Sequence, residues 1–96
     1  MKYTIISTIL FISQFKELHG KTRKNLKEKI ELLKENPFRN KSLVSYKNFF
    51  RIRFIDLNLE KRLIYSVKKD AVKLLFILDR KNDYKDLRKY LKKIKE

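Results

Sequence analysis

The chain has no cysteine and no tryptophan, and only one glycine, one proline and one histidine in 96 residues. Without cysteine there is no disulfide, no thiolate metal site and no thiol nucleophile. A single histidine excludes paired-histidine metal sites, and a Ser-His-Asp triad would depend on His19 alone. No metal or cofactor is therefore expected. Internal repeats and low-complexity linkers are also missing. Acid is scarce, with 11 Asp plus Glu against 26 Lys plus Arg. The apolar run Tyr3–Ile12, preceded by Lys2, resembles a short signal peptide. It lacks an A-x-A-type cleavage site and falls far below the roughly 20 residues needed to span a bilayer. It reads as part of the fold. Chemistry is left to arginine, lysine, tyrosine and carboxylates.

What is present is enough for one core. Residues 1–96 fit one domain, and 43% hydrophobic with 12% aromatic residues does not describe a disordered basic tail. The formal net charge is +15. A surplus of that size attracts polyanions, of which phosphate backbones are the commonest. The excess is spread along the chain and forms no detachable arm. Lysine dominates it in a sequence rich in Ile, Leu and Asn, a bias that composition alone can also produce.

Periodicity gives the elements. Tyr3–Ser7 reads as a strand. Phe11, Phe15 and Leu18, with Ile12 beside them, mark a first helix ending near His19-Gly20. Leu26, Ile30 and Leu33 form the apolar stripe of a second helix, about Thr22–Glu35, stopped by Asn36-Pro37. The short connection between them predicts a helical hairpin. From about Ser42 the period changes to two. Phe50, Ile52 and Phe54 fall on one face of a strand over Phe49–Ile55, with Arg51 and Arg53 on the other. Arg62–Val67 places Leu63, Tyr65 and Val67 on one face. A tight turn at Lys68-Lys69-Asp70 leads to Val72–Leu78, apolar on both faces as an interior strand is. Ile55–Lys61 reads as a longer, acidic connection. Tyr84, Leu87, Leu91 and Ile94 suggest a C-terminal helix. The expected fold is α+β: an N-terminal strand and helical hairpin packed on a small, mainly antiparallel sheet of about four strands, with a C-terminal helix.

Four arginines stand out. Arg51 and Arg53 share the non-Phe face of their strand. Arg62 begins the strand that pairs with it, Arg80 ends the last strand, and Tyr84 follows four residues later. If the helices cover the apolar face, the opposite face collects guanidinium groups. Such a cluster repels itself unless an anion sits there, and it suits a phosphodiester: bidentate donors, always charged. Each residue alone also has an ordinary reading. Alternating Arg51 and Arg53 fit a solvated strand face, Arg62 a salt bridge to Glu60 or Asp56, and Tyr84 helix packing.

The string Phe50-Arg51-Ile52-Arg53-Phe54, then Lys61-Arg62-Leu63-Ile64-Tyr65-Ser66-Val67, then Leu74–Leu78 leading to Arg80 and Tyr84, resembles the RelE/ParE toxin superfamily. Glu35-Asn36-Pro37 and Lys41-Ser42-Leu43 resemble it too, and the likeness covers nearly the whole chain. In the RelE branch it implies a cytoplasmic toxin of a type II toxin-antitoxin system, a ribosome-dependent mRNA endonuclease using ribose 2′-OH attack on the adjacent phosphate. Carried over, Arg51 and Arg53 match the paired basic strand residues and Arg62 the phosphate-contacting arginine. Arg80 matches the arginine at the leaving group, and Tyr84 the tyrosine that stacks on or orients the substrate. The resemblance also implies a small antitoxin as partner, beside the ribosome and mRNA, and no membrane.

The family often has a lysine or carboxylate where a general base is needed. Here Arg51 and Arg53 stand, and arginine is a poor base. Glu60 and Asp79 are the nearest carboxylates and read as salt-bridge partners. His19 reads as a surface or helix-capping residue on the far side from the arginines. Two alternatives stay open: a ParE-type gyrase inhibitor without nuclease activity, and a non-catalytic RNA-binding module.

Overall fold

Alternation and helical spacing in this sequence can be satisfied together only if helices cover one side of a sheet. The computed structural model, which describes residues 2–43, 46–82, 87–90 and 92, has that arrangement. Its elements are β1 (Thr4–Ser7), α1 (Ile9–Lys16), α2 (Gly20–Leu32), β2 (Lys41–Leu43), β3 (Tyr46–Asp56), β4 (Leu59–Lys68) and β5 (Ala71–Asp79), then a 3₁₀ turn at Arg80–Asn82. Residues 87–90 are helical. The sheet order is β1-β5-β4-β3-β2, with β1 parallel to β5 and the other pairs antiparallel.

The hairpin side of the sheet is formed by Phe50, Ile52 and Phe54 of β3, Leu63, Tyr65 and Val67 of β4, and Val72 and Leu74 of β5. They pack against Phe11 and Leu18 and, from α2, Leu26 and Ile30, with Leu33 just beyond it. Each large apolar side chain so buried contributes about 1.5–3 kcal/mol relative to exposure. The opposite side carries Ile64, Leu75, Phe76 and Leu78 beneath Leu87 and Tyr90. The C-terminal segment thus covers part of the face that the hairpin leaves free. Tyr84, Leu91 and Ile94 of the expected C-terminal helix lie outside the described residues.

Side chains close the ends of the elements. Thr8 caps α1 by accepting from the Phe11 N–H and donates its own hydroxyl to the Leu75 carbonyl at 2.6 Å. Beyond the reach of β1, Gln14 pairs with both backbone groups of Ile77, at 2.9 and 2.6 Å, so that part of the β5 edge is satisfied by α1.

Several boundaries differ from the sequence reading. The described residues form five strands, where about four were expected. The additional one, β2, spans three residues and is too short to show alternation. Gly20 opens α2 instead of ending α1, and His19 is its N-cap, its imidazole accepting from the Lys21 N–H. α2 stops at Leu32, because residues 33–35 tighten into i→i−3 bonds ahead of Pro37. The segment Ile55–Lys61 is not a long connection. Leu57 and Asn58 form a two-residue turn, with φ of 48° and 69°, between directly paired strands. Two positive φ values match the twist of a hairpin, and nothing in Asp-Leu-Asn-Leu announces such a turn as Asn-Gly would.

Candidate anion-binding site

β3 and β4 place Arg53 directly opposite Arg62, while Arg62 in turn faces Leu78 of β5. Arg51 and Arg53 are half-buried and exposed respectively, on the side away from the helical hairpin. Like charges directly opposite on a sheet destabilise it. The structure resolves that conflict with one carboxylate. Glu60, cross-strand from Ile55, brings Oε1 to 3.4 Å from an Arg53 terminal nitrogen. Its Oε2 lies 3.5 Å from Arg80 Nε and 3.9 Å from an Arg62 terminal nitrogen. Oε2 is buried yet takes no hydrogen bond of good geometry. The carboxylate is therefore surrounded by cations without being bound tightly to any one of them.

Arg53, Arg62 and Arg80, from two strands and the turn after a third, thus converge on one point that already holds an anionic group. Arg51 shares their face but stands apart: it pairs across β3–β4 with Ile64 and across β2–β3 with Lys41, and forms no ion pair with a described residue. Tyr84 lies outside the described residues. Of the two carboxylates nearest in sequence, Asp79 pairs with Lys61 at 2.8 Å and, with Gln14 and Glu17, lines a cavity beside α1. Asp56 is buried and accepts from the His19 N–H at 3.1 Å, which fixes the link between the helices. Among the described residues, Glu60 is the carboxylate that meets the arginines. Sequence reasoning had it as a partner of Arg62; the convergence of Arg53 and Arg80 on the same group needed the strand register.

A second basic feature lies where β2 ends. β2 pairs with β3 only as far as Lys41 opposite Arg51. Beyond that point the β3 edge borders a cavity of about 500 Å³ lined by Lys29, Leu32, Arg39, Asn40, Lys41, Arg51, Ile52 and Arg53. Lys29, Arg39 and Asn40 were not singled out in the sequence. Their only signal was the basic cluster Arg39-Asn40-Lys41 after the helix stop. The loop carrying it is held by Tyr65. This fully buried tyrosine donates to the Pro37 carbonyl at 2.7 Å, accepts from Asn40 Nδ2 at 3.1 Å, and stacks on Phe50. Burial pushes its hydroxyl pKa above the ordinary 10.0, against the smaller opposing effects of the Asn40 hydrogen bond and the Arg39 charge.

Chemically, the face offers fixed guanidinium groups that match the oxygens of a phosphate and complement negative charge that grows on it. No protein-family model matches the sequence, and no curated protein matches it significantly. Solved structures do match. An E. coli RelE toxin with two arginines replaced by alanine, in the free state, is 20% identical with a TM-score of 0.79, covering 98% of this chain and 99% of that one. The isolated E. coli RelE toxin is 20% identical, with a TM-score of 0.71 over 93% and 98% of the two chains. A chain of the intact E. coli RelBE toxin-antitoxin complex is 22% identical, with a TM-score of 0.69 over 79% and 94%. A five-stranded sheet with a helical hairpin on one side and arginines, beside the C-terminal segment, on the other is thus, in this chain, a RelE-like fold.

Proposed function

We propose that residues 1–96 form a single toxin domain of a type II toxin-antitoxin system, acting in the cytoplasm as a ribosome-dependent mRNA endonuclease. The 2′-hydroxyl oxygen of a ribose bonds to the adjacent phosphorus as its proton passes to water, and the bond to the next 5′-oxygen breaks, that oxygen taking up a proton in return. The observation that carries this reading is the convergence of Arg53, Arg62 and Arg80 on one anionic group, here Glu60. A scissile phosphate placed there would meet the same cations. Arg62 and Arg53 hold its oxygens, Arg80 stabilises charge at the leaving oxygen, Arg51 adds to the field, and Tyr84 orients a base. Losing one preorganised donor of this kind costs on the order of 10²–10³ in rate. The likeness to a toxin seen with its antitoxin supports a small protein partner that silences the domain.

The test is translation of a defined message in a purified system, with and without ribosomes, followed by mapping of RNA ends. The wild type is expected to cut only with ribosomes present, and Arg80→Ala to cut at least about 100-fold more slowly while unfolding within about 3 °C of it. Absence of cutting accompanied by gyrase inhibition would replace this reading with the ParE-type alternative. Ribosome binding without cutting would replace it with the RNA-binding module.

A further inference from the structure

The charge on this surface is divided into a compensated part and an uncompensated part. Around Glu60, three arginines share a carboxylate. In the adjoining cavity Lys29, Arg39, Lys41 and Arg51 line one space; among the described residues no carboxylate lines it, and none of the four pairs with an acidic group. Arg51 Nε is buried there without a hydrogen bond. Bringing such cations together is unfavourable unless an anion arrives, so the cavity is built for one. Arg53 lines the cavity and also touches Glu60, which joins the two regions into one track across the edge of the sheet.

The open β3 edge could in principle accept a peptide strand. However, Lys29 Nζ donates to the Arg53 carbonyl at 3.2 Å, the kind of charged cover that blunts edge pairing. The lining is cationic and is presented by a loop that Tyr65 fixes in place. We infer that this cavity is a second phosphate site, which holds the phosphodiester of an RNA strand neighbouring the one at Arg53, Arg62 and Arg80. Lys29, Arg39 and Lys41 are its positioning contacts. This inference rests on the RNA-directed reading above, but not on cleavage.

The experiment uses the full chain and a 2′-O-methyl oligouridylate, which has no free 2′-hydroxyl and cannot be cut by this chemistry. Affinity is measured against salt concentration for the wild type, for a Lys29→Gln/Arg39→Gln/Lys41→Gln variant, and for a charge-matched control, Lys68→Gln/Lys69→Gln/Lys73→Gln, at the β4–β5 turn. All six side chains are exposed, so the fold is not at stake. Three lost phosphate contacts lower the logarithmic salt slope by about 2 and weaken binding about 100-fold at 0.1 M salt. The control is expected to change the slope by less than one contact's worth, about 0.7. Equal losses in the two variants would overturn the inference, as would an unchanged slope in the first. So would tighter binding of polyglutamate than of the oligonucleotide, which would assign the cavity to an acidic protein. A protein that binds the probe as expected but cuts no message retains this site and loses the nuclease reading.

Discussion

Replacing Glu60 by glutamine keeps the shape of the side chain and removes the one negative charge that, among the described residues, lies between Arg53, Arg62 and Arg80. Two effects of opposite sign follow. The Arg53 and Arg80 side chains are 56% and 65% exposed, so their pairs with Glu60 are screened and contribute a few tenths of a kcal/mol each. Arg62 is only 12% exposed, and its pair at 3.9 Å, together with relief of the Arg53–Arg62 repulsion, adds about 1 kcal/mol. The variant should therefore lose about 1–2 kcal/mol, a fall in Tm of roughly 5–15 °C for a domain of this size. Its response to phosphate should move the other way. In the wild type an incoming phosphate meets a carboxylate already in the site, and two such charges about 4 Å apart repel by up to about 4 kcal/mol at an effective dielectric constant near 20. In the variant that carboxylate no longer opposes it, and phosphate at about 100 times its Kd returns roughly 2.7 kcal/mol. Thermal unfolding of both proteins in increasing phosphate, with chloride holding ionic strength fixed, separates the two effects. If the variant melts with the wild type and shows the same phosphate dependence, Glu60 is not the occupant of an anion site and the electrostatic account of this face is wrong.

Two further outcomes test the scaffold. Tyr65→Phe should cost about 1–3 kcal/mol in urea unfolding, because the Pro37 carbonyl and Asn40 amide lose a buried partner. The Tyr65 pKa is raised in the folded state, so the unfolded chain loses this proton first. The stability Tyr65 contributes is complete below about pH 10 and lost as pH rises through the folded value. The gap between wild type and Tyr65→Phe should therefore narrow above about pH 10, and a gap constant with pH would contradict the burial argument. At the β3–β4 turn, Leu57 is 69% exposed and holds a φ of 48°. Leu57→Asn combined with Asn58→Gly should raise stability by about 1 kcal/mol, read from the denaturant midpoint, and an unchanged midpoint would show that the turn is unstrained.

The β3 and β4 faces were readable because Phe50, Ile52, Phe54, Leu63, Tyr65 and Val67 alternate without interruption, and alternation is what a half-buried strand requires. The same reading placed Arg51, Arg53 and Arg62 on the opposite side, where they are found. It failed where local geometry is set by non-local contacts. His19-Gly20 carries the sign of a helix end, yet His19 begins α2, because Asp56, far along the chain, binds its N–H. Lys41–Leu43 became a strand only through β3. The cavity at Lys29, Arg39 and Lys41 gathers residues from a helix, a loop and a strand edge, which no spacing rule links.

The guanidinium face is a consequence of the core more than of its own electrostatics. Shifting β4 by one residue against β3 would turn Leu63, Tyr65 and Val67, now 0%, 0% and 5% exposed, away from the helices. At about 1.5–3 kcal/mol each, that loss exceeds anything three partly exposed ion pairs could return. The position of Arg80 has a separate cause in β5. Opposite Ile64 and Tyr65, the register jumps from Phe76 to Leu74, which leaves Leu75 as an inserted residue. Val72 and Leu74 lie on the hairpin side, whereas Phe76 and Leu78 lie on the arginine side. Without the insertion, strict alternation would carry Phe76, Leu78 and then Arg80 to the hairpin side, away from Glu60. A single bulge, accommodated by the Thr8 hydroxyl that accepts from Phe11 and donates to the Leu75 carbonyl, thus brings the third arginine to the site.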